Sequence, residues 1–253
     1  MAKKIAIVNQ KGGVGKSTTA VNLGASIAEI GYKTLVVDVD PQGNASSGLG
    51  IEKDELDNTI YQVLIEELDA CQAIRRTSYE GLSILPSNIE LAGAEIELVS
   101  MISREGRLKR AISDIEDEYD FILFDCPPSL GLLTLNALTA ADSLMVPIQC
   151  EYYALEGLGQ LMQTVQLVQK NLNSKLTLEG VVLTMYDART NLAQQVIEEV
   201  KKYFPEQVYD TVIPRNVRLS EAPSFGEPII NYASNSSGAK AYRKLAKEVS
   251  KNV

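Results

Sequence analysis

Histidine is absent from the 253 residues of this chain, and cysteine occurs only three times. Without an imidazole, any general base must be a carboxylate, a lysine or the substrate itself. Cys71, Cys126 and Cys150 are odd in number and lie far apart in the sequence. We therefore expect buried, small hydrophobic side chains at these positions, rather than a disulfide framework or a cysteine-bound metal.

Long hydrophobic runs are also missing. No apolar run is long enough to span a bilayer, and the run near the N-terminus, residues 5–8, is too short for a signal peptide. These absences predict a cytoplasmic protein.

The formal net charge of −9 argues against a protein that binds nucleic acid over its whole surface. The charge is unevenly distributed, however. Residues 1–185 hold 14 basic and 25 acidic side chains, whereas residues 186–253 hold 10 basic and 8 acidic ones. Any affinity for a polyanion would therefore come from a local patch near the C-terminal end.

A glycine-rich stretch follows the first apolar run. Residues 10–18 read Gln-Lys-Gly-Gly-Val-Gly-Lys-Ser-Thr and precede a helical pattern. The glycines let backbone N–H groups approach an anion, and the helix start adds a positive dipole end. Lys16 supplies a charge for terminal phosphates, and Ser17 can place a hydroxyl on Mg²⁺. The usual phosphate-loop pattern fails only at Gln10, where a glycine is expected, and Lys11 is an additional lysine inside the loop.

Three carboxylates lie where apolar strands end. Asp38 ends the run 33–38, Asp40 follows it in a loop, and Asp125 ends the run 121–125. The carboxyl ends of parallel strands form the ligand edge of an open α/β sheet, so Asp38 and Asp40 lie near the phosphate loop if the first two strands are neighbours. Asp125 has the pattern of a Walker B carboxylate, which orients the Mg²⁺ shell from the opposite side.

Apolar strands alternate with helical patterns, and no linker, low-complexity segment or repeat interrupts them. This predicts an α/β fold with one domain, residues 1–253, in which helices cover both faces of a doubly wound, mostly parallel sheet, as in P-loop nucleotide hydrolases. The predicted strands are residues 5–8, 33–38, 82–85, 121–125, 143–148, 181–185 and 208–213; the predicted helices are residues 20–30, 59–68, 91–115 (one or two helices), 154–171, 191–203 and 238–253.

The last predicted helix carries lysines and arginines around a thin apolar face, which consists of Ala239, Tyr242, Leu245, Ala246 and Val249. A basic amphipathic helix can lie on a membrane, but a face with two alanines and no Trp or Phe would bury little surface there. We expect this helix to pack on the domain, and we expect no stable membrane binding.

Four blocks of sequence resemble the ParA/MinD family of P-loop ATPases with a deviant Walker A loop, and its ParA/Soj subgroup in particular. The resemblance covers essentially the whole chain. The blocks are Lys-Gly-Gly-Val-Gly-Lys-Ser-Thr (11–18), Asp-Val-Asp-Pro-Gln-Gly-Asn (38–44), Asp-Cys-Pro-Pro-Ser-Leu-Gly (125–131) and Val-Ile-Pro-Arg-Asn-Val-Arg-Leu-Ser-Glu-Ala-Pro-Ser (212–224).

The resemblance implies a weak ATPase that dimerises around two sandwiched ATP molecules with Mg²⁺. In that scheme Lys11 reaches the partner's phosphates, Lys16 holds the β- and γ-phosphates, and Asp40 positions the attacking water. The implied metal set is Ser17, Asp125 and Asp40. The implied nucleotide contacts are Lys11, Gly12, Gly13, Val14, Gly15, Lys16, Ser17 and Thr18 at the phosphates, with Pro214 and Asn216 beside the adenine.

The resemblance also implies that the ATP-bound homodimer binds DNA without sequence preference, on the nucleoid, and that a ParB-type centromere-binding protein stimulates hydrolysis and so releases it. Two-fold symmetry would double a weak positive patch. The candidate DNA contacts are Arg189, Arg215, Arg218, Lys240 and Arg243, each of which is as readily interpreted as a solvated surface charge.

Two departures from the family pattern stand out. Ser17 replaces a common threonine and keeps the hydroxyl, and the phosphate loop begins at residue 10, so we expect no N-terminal domain for sequence-specific operator binding. The alternative is a MinD-type, membrane-associated positioning ATPase. A third, metabolic class uses related loops: dethiobiotin synthetase-like ligases, for which the sequence offers no identifiable substrate pocket, or the nitrogenase iron protein. Cys126, directly after Asp125, does not fit the cluster-bridging cysteine of the iron protein.

Overall fold

A largely parallel sheet forms the centre of the fold in the computed structural model, which describes residues 1–53, 56–151 and 157–252. Its strands are β1 (Lys3–Ile7), β2 (Thr34–Asp38), β3 (Arg75–Arg76), β4 (Leu82–Leu85), β5 (Phe121–Asp125), β6 (Ser143–Gln149), β7 (Thr177–Tyr186) and β8 (Val208–Pro214). In the described ranges they follow the order β3-β4-β2-β5-β1-β6-β7-β8, with every pair parallel except β3–β4.

Helices cover both faces of the sheet, and each face encloses its own apolar cluster. One face carries α3 (Ile60–Ile65), α4 (Ala70–Ala73), α5 (Leu91–Glu97), α6 (Arg107–Ser113), α7 (Leu132–Ala140), α8 (Leu158–Asn171) and α9 (Asn191–Tyr203); the other carries α1 (Lys16–Glu29), α2 (Asn44–Gly48), α10 (Val217–Glu221), α11 (Ile229–Tyr232) and α12 (Ser237–Val249). This arrangement confirms the predicted doubly wound α/β fold.

The central strands are apolar because the helices bury them from both sides. All five residues of β5, which reads Phe-Ile-Leu-Phe-Asp, are buried. Asp125 is therefore a carboxylate at the end of an otherwise hydrocarbon strand, with no water-facing side.

The segment 91–115 contains two helices rather than one. α5 ends at Glu97, and after a short 3-10 turn the backbone is extended at Met101 and has φ +51° at Ser103. A non-glycine residue in the left-handed region cannot continue a helix. α6 then begins at Arg107.

Helix α7 was not predicted from the sequence. Seven of its nine residues are buried, so it lacks the polar face that produces a 3.6-residue periodicity. Other boundaries also differ: β7 begins at Thr177, and α8 begins at Leu158, while residues 154–156 of the helix predicted there lie outside the described residues. The expectation of three buried cysteines is wrong for Cys71, which is exposed.

The C-terminal helix α12 packs on the domain, as expected. Tyr242, Leu245 and Val249 are buried against α1 and β8, and the Tyr242 and Thr19 hydroxyls lie 3.2 Å apart. The apolar face of α12 is therefore already covered. Among the described residues, no helix is both long and apolar enough to cross a membrane.

Candidate active site

The phosphate loop connects β1 to α1 and is fixed at both ends by hydrogen bonds. The Asn9 side chain donates to the Pro147 carbonyl (2.7 Å) and accepts from the Lys11 N–H (3.0 Å). At the other end, the Thr184 hydroxyl donates to the Val14 carbonyl (2.8 Å). The loop is therefore held in shape by the ends of β6 and β7 without any contribution from a ligand.

The interior of this loop is open to an anion. Gly13 and Gly15 have φ of +74° and +90°, a region that side chains disfavour. A Cβ placed on Gly12 or Gly13 would meet no atom within 4 Å. No side chain caps the first turn of α1, so its N–H groups are available to phosphate oxygens.

Lys16, the first residue of α1, lies inside this cradle and is buried. Its ammonium donates to the Lys11 carbonyl (3.2 Å) across the loop. Burial lowers the pKa of Lys16, while the charges of Asp125 and Asp40 act in the opposite direction. The ammonium is thus largely removed from water and suited to contact with a phosphate.

The carboxylates lie at the same edge of the sheet, but by a different route from the one expected. β1 and β2 are not neighbours, because β5 lies between them, with Asp125 paired in register with both Ile7 and Asp38. The expectation that Asp38 and Asp40 reach the loop through adjacent strands is therefore wrong. Asp40, in the loop after β2, nevertheless lines the same cavity as Lys16 and Ser17.

Asp125 is the residue whose environment fits a divalent cation. Both of its carboxylate oxygens are buried and make no hydrogen bond of ordinary geometry among the described residues. Burial raises the pKa of Asp125 well above its usual range, and the Asp38 charge adds to this, whereas the nearby Ser17 hydroxyl and Lys16 favour the charged form. A buried carboxylate without donors is costly unless a cation accompanies it.

Mg²⁺ suits this donor set. The described residues contain no cluster of three acids that would cage a metal by themselves. Mg²⁺ is typically held by one or two carboxylates together with substrate phosphates and waters. Asp125, the Ser17 hydroxyl and the phosphates of a bound nucleotide would supply such a set.

Asp38, in contrast, has hydrogen-bond partners within the protein. It accepts from the Ser46 N–H (2.8 Å), the Ser46 hydroxyl (2.8 Å) and the Asp40 N–H (3.2 Å). The Ser87 N–H in turn donates to the Ser46 hydroxyl oxygen (3.0 Å). Asp38 therefore shapes the loop that carries Asp40, a role that the sequence did not assign to it.

Two adjoining cavities form a cleft of nucleotide size. One, of about 410 Å³, is lined by Gly12, Gly13, Lys16, Ser17, Thr18 and Asp40. The other, of about 450 Å³, is lined by Pro214 and Asn216 and shares Gly15, Thr18 and Met185 with the first. The structure thus brings most of the predicted phosphate-site and adenine-site residues to one cleft.

Three of the predicted residues contribute differently. Val14 is buried behind the loop, and neither it nor Lys11 lines these cavities. Asn216 caps α10, accepting from the Arg218 N–H (2.8 Å), and donates to the Ser237 hydroxyl (2.8 Å). Its side chain therefore holds the shape of the cleft wall.

Met185 lines both cavities and was missed from the sequence. It is a non-glycine residue with φ +52° near the end of β7. Such strained backbone often occurs at binding sites. A sequence pattern cannot reveal it, because methionine carries no preference for that conformation.

Three of the predicted DNA contacts, which follow β7 or β8 in the sequence, are exposed and paired with carboxylates. Arg189 pairs with Asp187 (2.6 Å), Arg215 with Glu151 (2.8 Å) and Arg218 with Glu221 (2.9 Å). Exposed pairs of this kind contribute little to stability, so a phosphate can replace the carboxylate at small cost.

The two candidates on α12 differ from each other. Lys240 is exposed. The Arg243 guanidinium makes two hydrogen bonds to the Glu29 carboxylate (both 2.7 Å) and two to Ser234 (2.7 and 2.9 Å). Arg243 therefore has a structural role in joining α12 to α1.

Taken together, the doubly wound sheet, the glycine-rich loop at the start of α1 and the unpaired Asp125 define a P-loop nucleotide hydrolase with a lysine-rich loop. A family model described as an AAA domain matches residues 2–178. The sporulation initiation inhibitor protein Soj of Bacillus subtilis is 64% identical to this chain, and the alignment covers 100% of each of the two chains. The chromosome partitioning protein ParA of Myxococcus xanthus is 54% identical and covers 98% of this chain and 87% of its own length.

The chain belongs to the ParA/Soj family of chromosome-partitioning ATPases. A crystal structure from Mycobacterium smegmatis, named as cobyrinic acid a,c-diamide synthase and holding ADP and magnesium, is 40% identical, with a TM-score of 0.86 and coverage of 98% of this chain and 93% of that one. ATP and Mg²⁺ are accordingly the cofactors of this ATPase.

Proposed function

We propose that this partitioning ATPase is an ATP-gated switch that dimerises around ATP, binds DNA without sequence preference on the nucleoid, and is released when a ParB-type partner stimulates hydrolysis. One observation carries the proposal. The phosphate loop holds two lysines. Lys16 alone of the two lines the cleft, while the Lys11 side chain makes no ion pair with any described residue. A second lysine beside a complete phosphate cradle is best explained by the phosphates of a second subunit.

In this proposal, different residues of the chain bind the phosphates, hold the metal and orient the attacking water. Lys16 and the α1 N–H groups bind the β- and γ-phosphates, while Ser17 and Asp125 hold the metal, with Asp40 facing it. When bound, Mg²⁺ neutralises charge that develops on the phosphates. Asp40 Oδ1 accepts from the Gln42 N–H (2.9 Å), and Oδ2 has no hydrogen bond to a described residue, so it can orient a water.

Phosphoryl transfer has a loose transition state, for which positioning and charge matter more than a strong base. The absence of histidine is therefore compatible with weak hydrolysis. Pro214 and Asn216 would lie beside the adenine, in the second cavity of the cleft.

The DNA-binding step would use the exposed arginines Arg189, Arg215 and Arg218 together with Lys240, doubled by two-fold symmetry. Arg243 would take part only by exchanging Glu29 for a phosphate. We further propose that residues 1–253 form one domain, since both core clusters pack on the same sheet.

The proposal is tested by measuring DNA binding with ATP, with ADP and without nucleotide, over a range of salt concentrations. We expect binding with ATP alone and a steep loss of affinity with salt, because each neutralised phosphate releases a counterion. Equal binding in all three states would contradict the switch. Flotation with liposomes and ATP is the companion measurement, and stable co-flotation would favour the MinD-type alternative, which the buried apolar face of α12 argues against.

Replacing Lys11 by alanine is expected to abolish ATP-dependent dimerisation while ATP still binds to the monomer. The reason is that Lys16 stays in place, whereas the charge proposed to reach the partner's phosphates is lost. Sedimentation with ATP, together with an ATP-binding titration, measures both quantities. Lys170→Ala, a change of the same charge on the exposed end of α8, is the matched control. A Lys11→Ala protein that still dimerises with ATP would show that this residue does not cross the interface.

A further inference from the structure

Helix α5 and the turn after it expose an unusual amount of hydrocarbon. Ile89, Ile96, Val99 and Ile102 are 68%, 78%, 58% and 88% exposed, respectively. We call these four residues the α5 stripe. Other residues of the same segment, Leu91, Ala94 and Leu98, are fully buried in the core, so the segment has an apolar side toward solvent as well as one toward the domain. Clustered exposed aliphatic side chains of this kind mark an interaction surface.

Three of the four stripe residues lie on one side of the segment. Ile89, Ile96 and Val99 are separated by seven and three residues, which places them on the same side of a helical segment. Ile102 follows the turn at Met101. Helix α5 itself, Leu91–Glu97, is about two turns long.

Acidic side chains flank the stripe. Glu90 and Glu97 are exposed on the same segment, and Glu66 ends the neighbouring helix α3. The Tyr61 hydroxyl donates to Glu97 (2.9 Å). Its pKa is raised, chiefly by that hydrogen bond, and the charges of Glu66 and Glu90 act in the same direction.

The chain just before the stripe, and α5 itself, contact residues next to the nucleotide edge. Ser87, two residues before Ile89, donates its N–H to the Ser46 hydroxyl oxygen, which in turn donates to Asp38. On α5 itself, the Glu95 carboxyl carbon lies 3.1 Å from the position that a Cβ on Gly131 would take. Gly131 is the N-cap of α7 and ends the segment that follows Asp125.

We propose that the α5 stripe is the docking site for a basic amphipathic helix of the partner protein that stimulates hydrolysis. The proposal rests on the proposed function for the existence of such a partner. Apolar residues of that helix would cover the four aliphatic side chains, and its lysines or arginines would face Glu66, Glu90 and Glu97. A helix docked there would lie beside Ser87, which is linked through Ser46 to Asp38, and beside Glu95, which lies against Gly131.

Charge complementarity decides between possible occupants. A second copy of this chain, related by a two-fold axis, would bring Glu90 and Glu97 of both subunits to the same interface, and like charges there disfavour association. An anionic lipid surface would be repelled by the same carboxylates. A basic helix satisfies both the apolar and the acidic parts of the surface.

The direct test is binding of a labelled 18-residue probe peptide to the full chain, measured by fluorescence anisotropy. The peptide carries leucines at three- and four-residue spacing with lysines on both flanks; a matched peptide has glutamate for every lysine. We expect the double variant Ile96→Ser, Ile102→Ser to weaken binding of the basic peptide by at least about tenfold. Leu167→Ser, at an exposed leucine of α8, should leave binding unchanged. Equal affinity for native and double-variant protein, or equally tight binding of the acidic peptide, would overturn the proposal.

A second measurement connects the site to the partner. Stimulation of ATP hydrolysis by a purified ParB-type protein should be lost in the Ile96→Ser, Ile102→Ser protein, while its unstimulated hydrolysis and ATP-dependent DNA binding stay native. Retained stimulation would overturn the assignment. A native dimer that the double variant abolishes would instead assign the stripe to a second copy, and loss of binding to phosphatidylglycerol vesicles would assign it to a membrane. If the native protein is not stimulated at all, the proposed function fails, a result distinct from the peptide measurement.

Discussion

An Asp40→Ala protein is expected to bind ATP normally and to hydrolyse it at least about 10²-fold more slowly than the native protein, since a positioned catalytic side chain contributes about 10²–10⁴-fold. Asp40 lines the cleft opposite Lys16, and one of its carboxylate oxygens makes no hydrogen bond to a described residue. Because hydrolysis is the proposed release step, the variant should also remain on DNA as an ATP-bound dimer. Single-turnover hydrolysis and the rate of dissociation from DNA measure the two effects.

Asp40→Asn provides the matched control for this prediction. Asparagine keeps an acceptor for the Gln42 N–H, so the turn of the loop is preserved, whereas the charge is lost. We expect it to be as slow as the alanine variant. Native hydrolysis in Asp40→Asn would assign Asp40 to the shape of the loop, and native hydrolysis in both variants would remove Asp40 from the mechanism.

The second large effect is expected from Lys16→Ala, which should weaken ATP binding by about 30-fold or more. Truncating one member of a buried charge pair costs about 2–5 kcal/mol, and each 1.4 kcal/mol is tenfold in affinity. Without the ammonium, the phosphates would face the carboxylates of Asp40 and Asp125 with one positive charge fewer. Titration with a fluorescent ATP analogue measures the loss.

The control for Lys16→Ala is Lys170→Ala, which removes the same charge from an exposed position on α8. Thermal unfolding without nucleotide should show that the Lys16→Ala protein is folded. Burying an ammonium group is unfavourable because it loses its hydration. We therefore expect that removing this buried charge does not by itself lower the free energy of unfolding. A folded Lys16→Ala protein that binds ATP as tightly as the native one would show that the cradle works through its N–H groups alone.

The name of the Mycobacterium smegmatis relative bears on the metabolic alternative. That name describes the other protein. The relative from Bacillus subtilis is more similar in sequence, at 64% against 40%, and covers both chains fully. The family assignment therefore follows the partitioning ATPases.

Much of the site was predictable because it depends on residues that are close in the sequence. The phosphate loop, with its glycines and Lys16, is a contiguous stretch between one strand and one helix. The strands ending at Asp38 and Asp125 were recognisable because buried parallel strands are apolar throughout. The fold class and the phosphate-binding end of the cleft could therefore be predicted from local features of the sequence.

Features that depend on contacts between distant segments were not predictable. The order of the strands, with β5 between β1 and β2, leaves no trace in any one segment. No single segment predicts the hydrogen bonds from Ser46 to Asp38 or the position of Met185 at the cleft. Nor does one predict the ion pair between Arg243 and Glu29. α7 was missed for the opposite reason, since burial on nearly every side removes the periodicity that marks a helix.

The sequence by itself determined the residues available for chemistry: a phosphate cradle with an additional lysine, two carboxylates that we propose for the metal and the water, and no histidine. A loop of this kind needs only a strand, glycines and a helix start, all of which are local. The tertiary structure alone decided that Asp125 is buried with no hydrogen bond of ordinary geometry among the described residues, and that Ile89, Ile96, Val99 and Ile102 remain exposed. Burial and exposure are properties of the packed chain, because they depend on which distant segments pack against a side chain. A local sequence pattern does not specify those distant contacts.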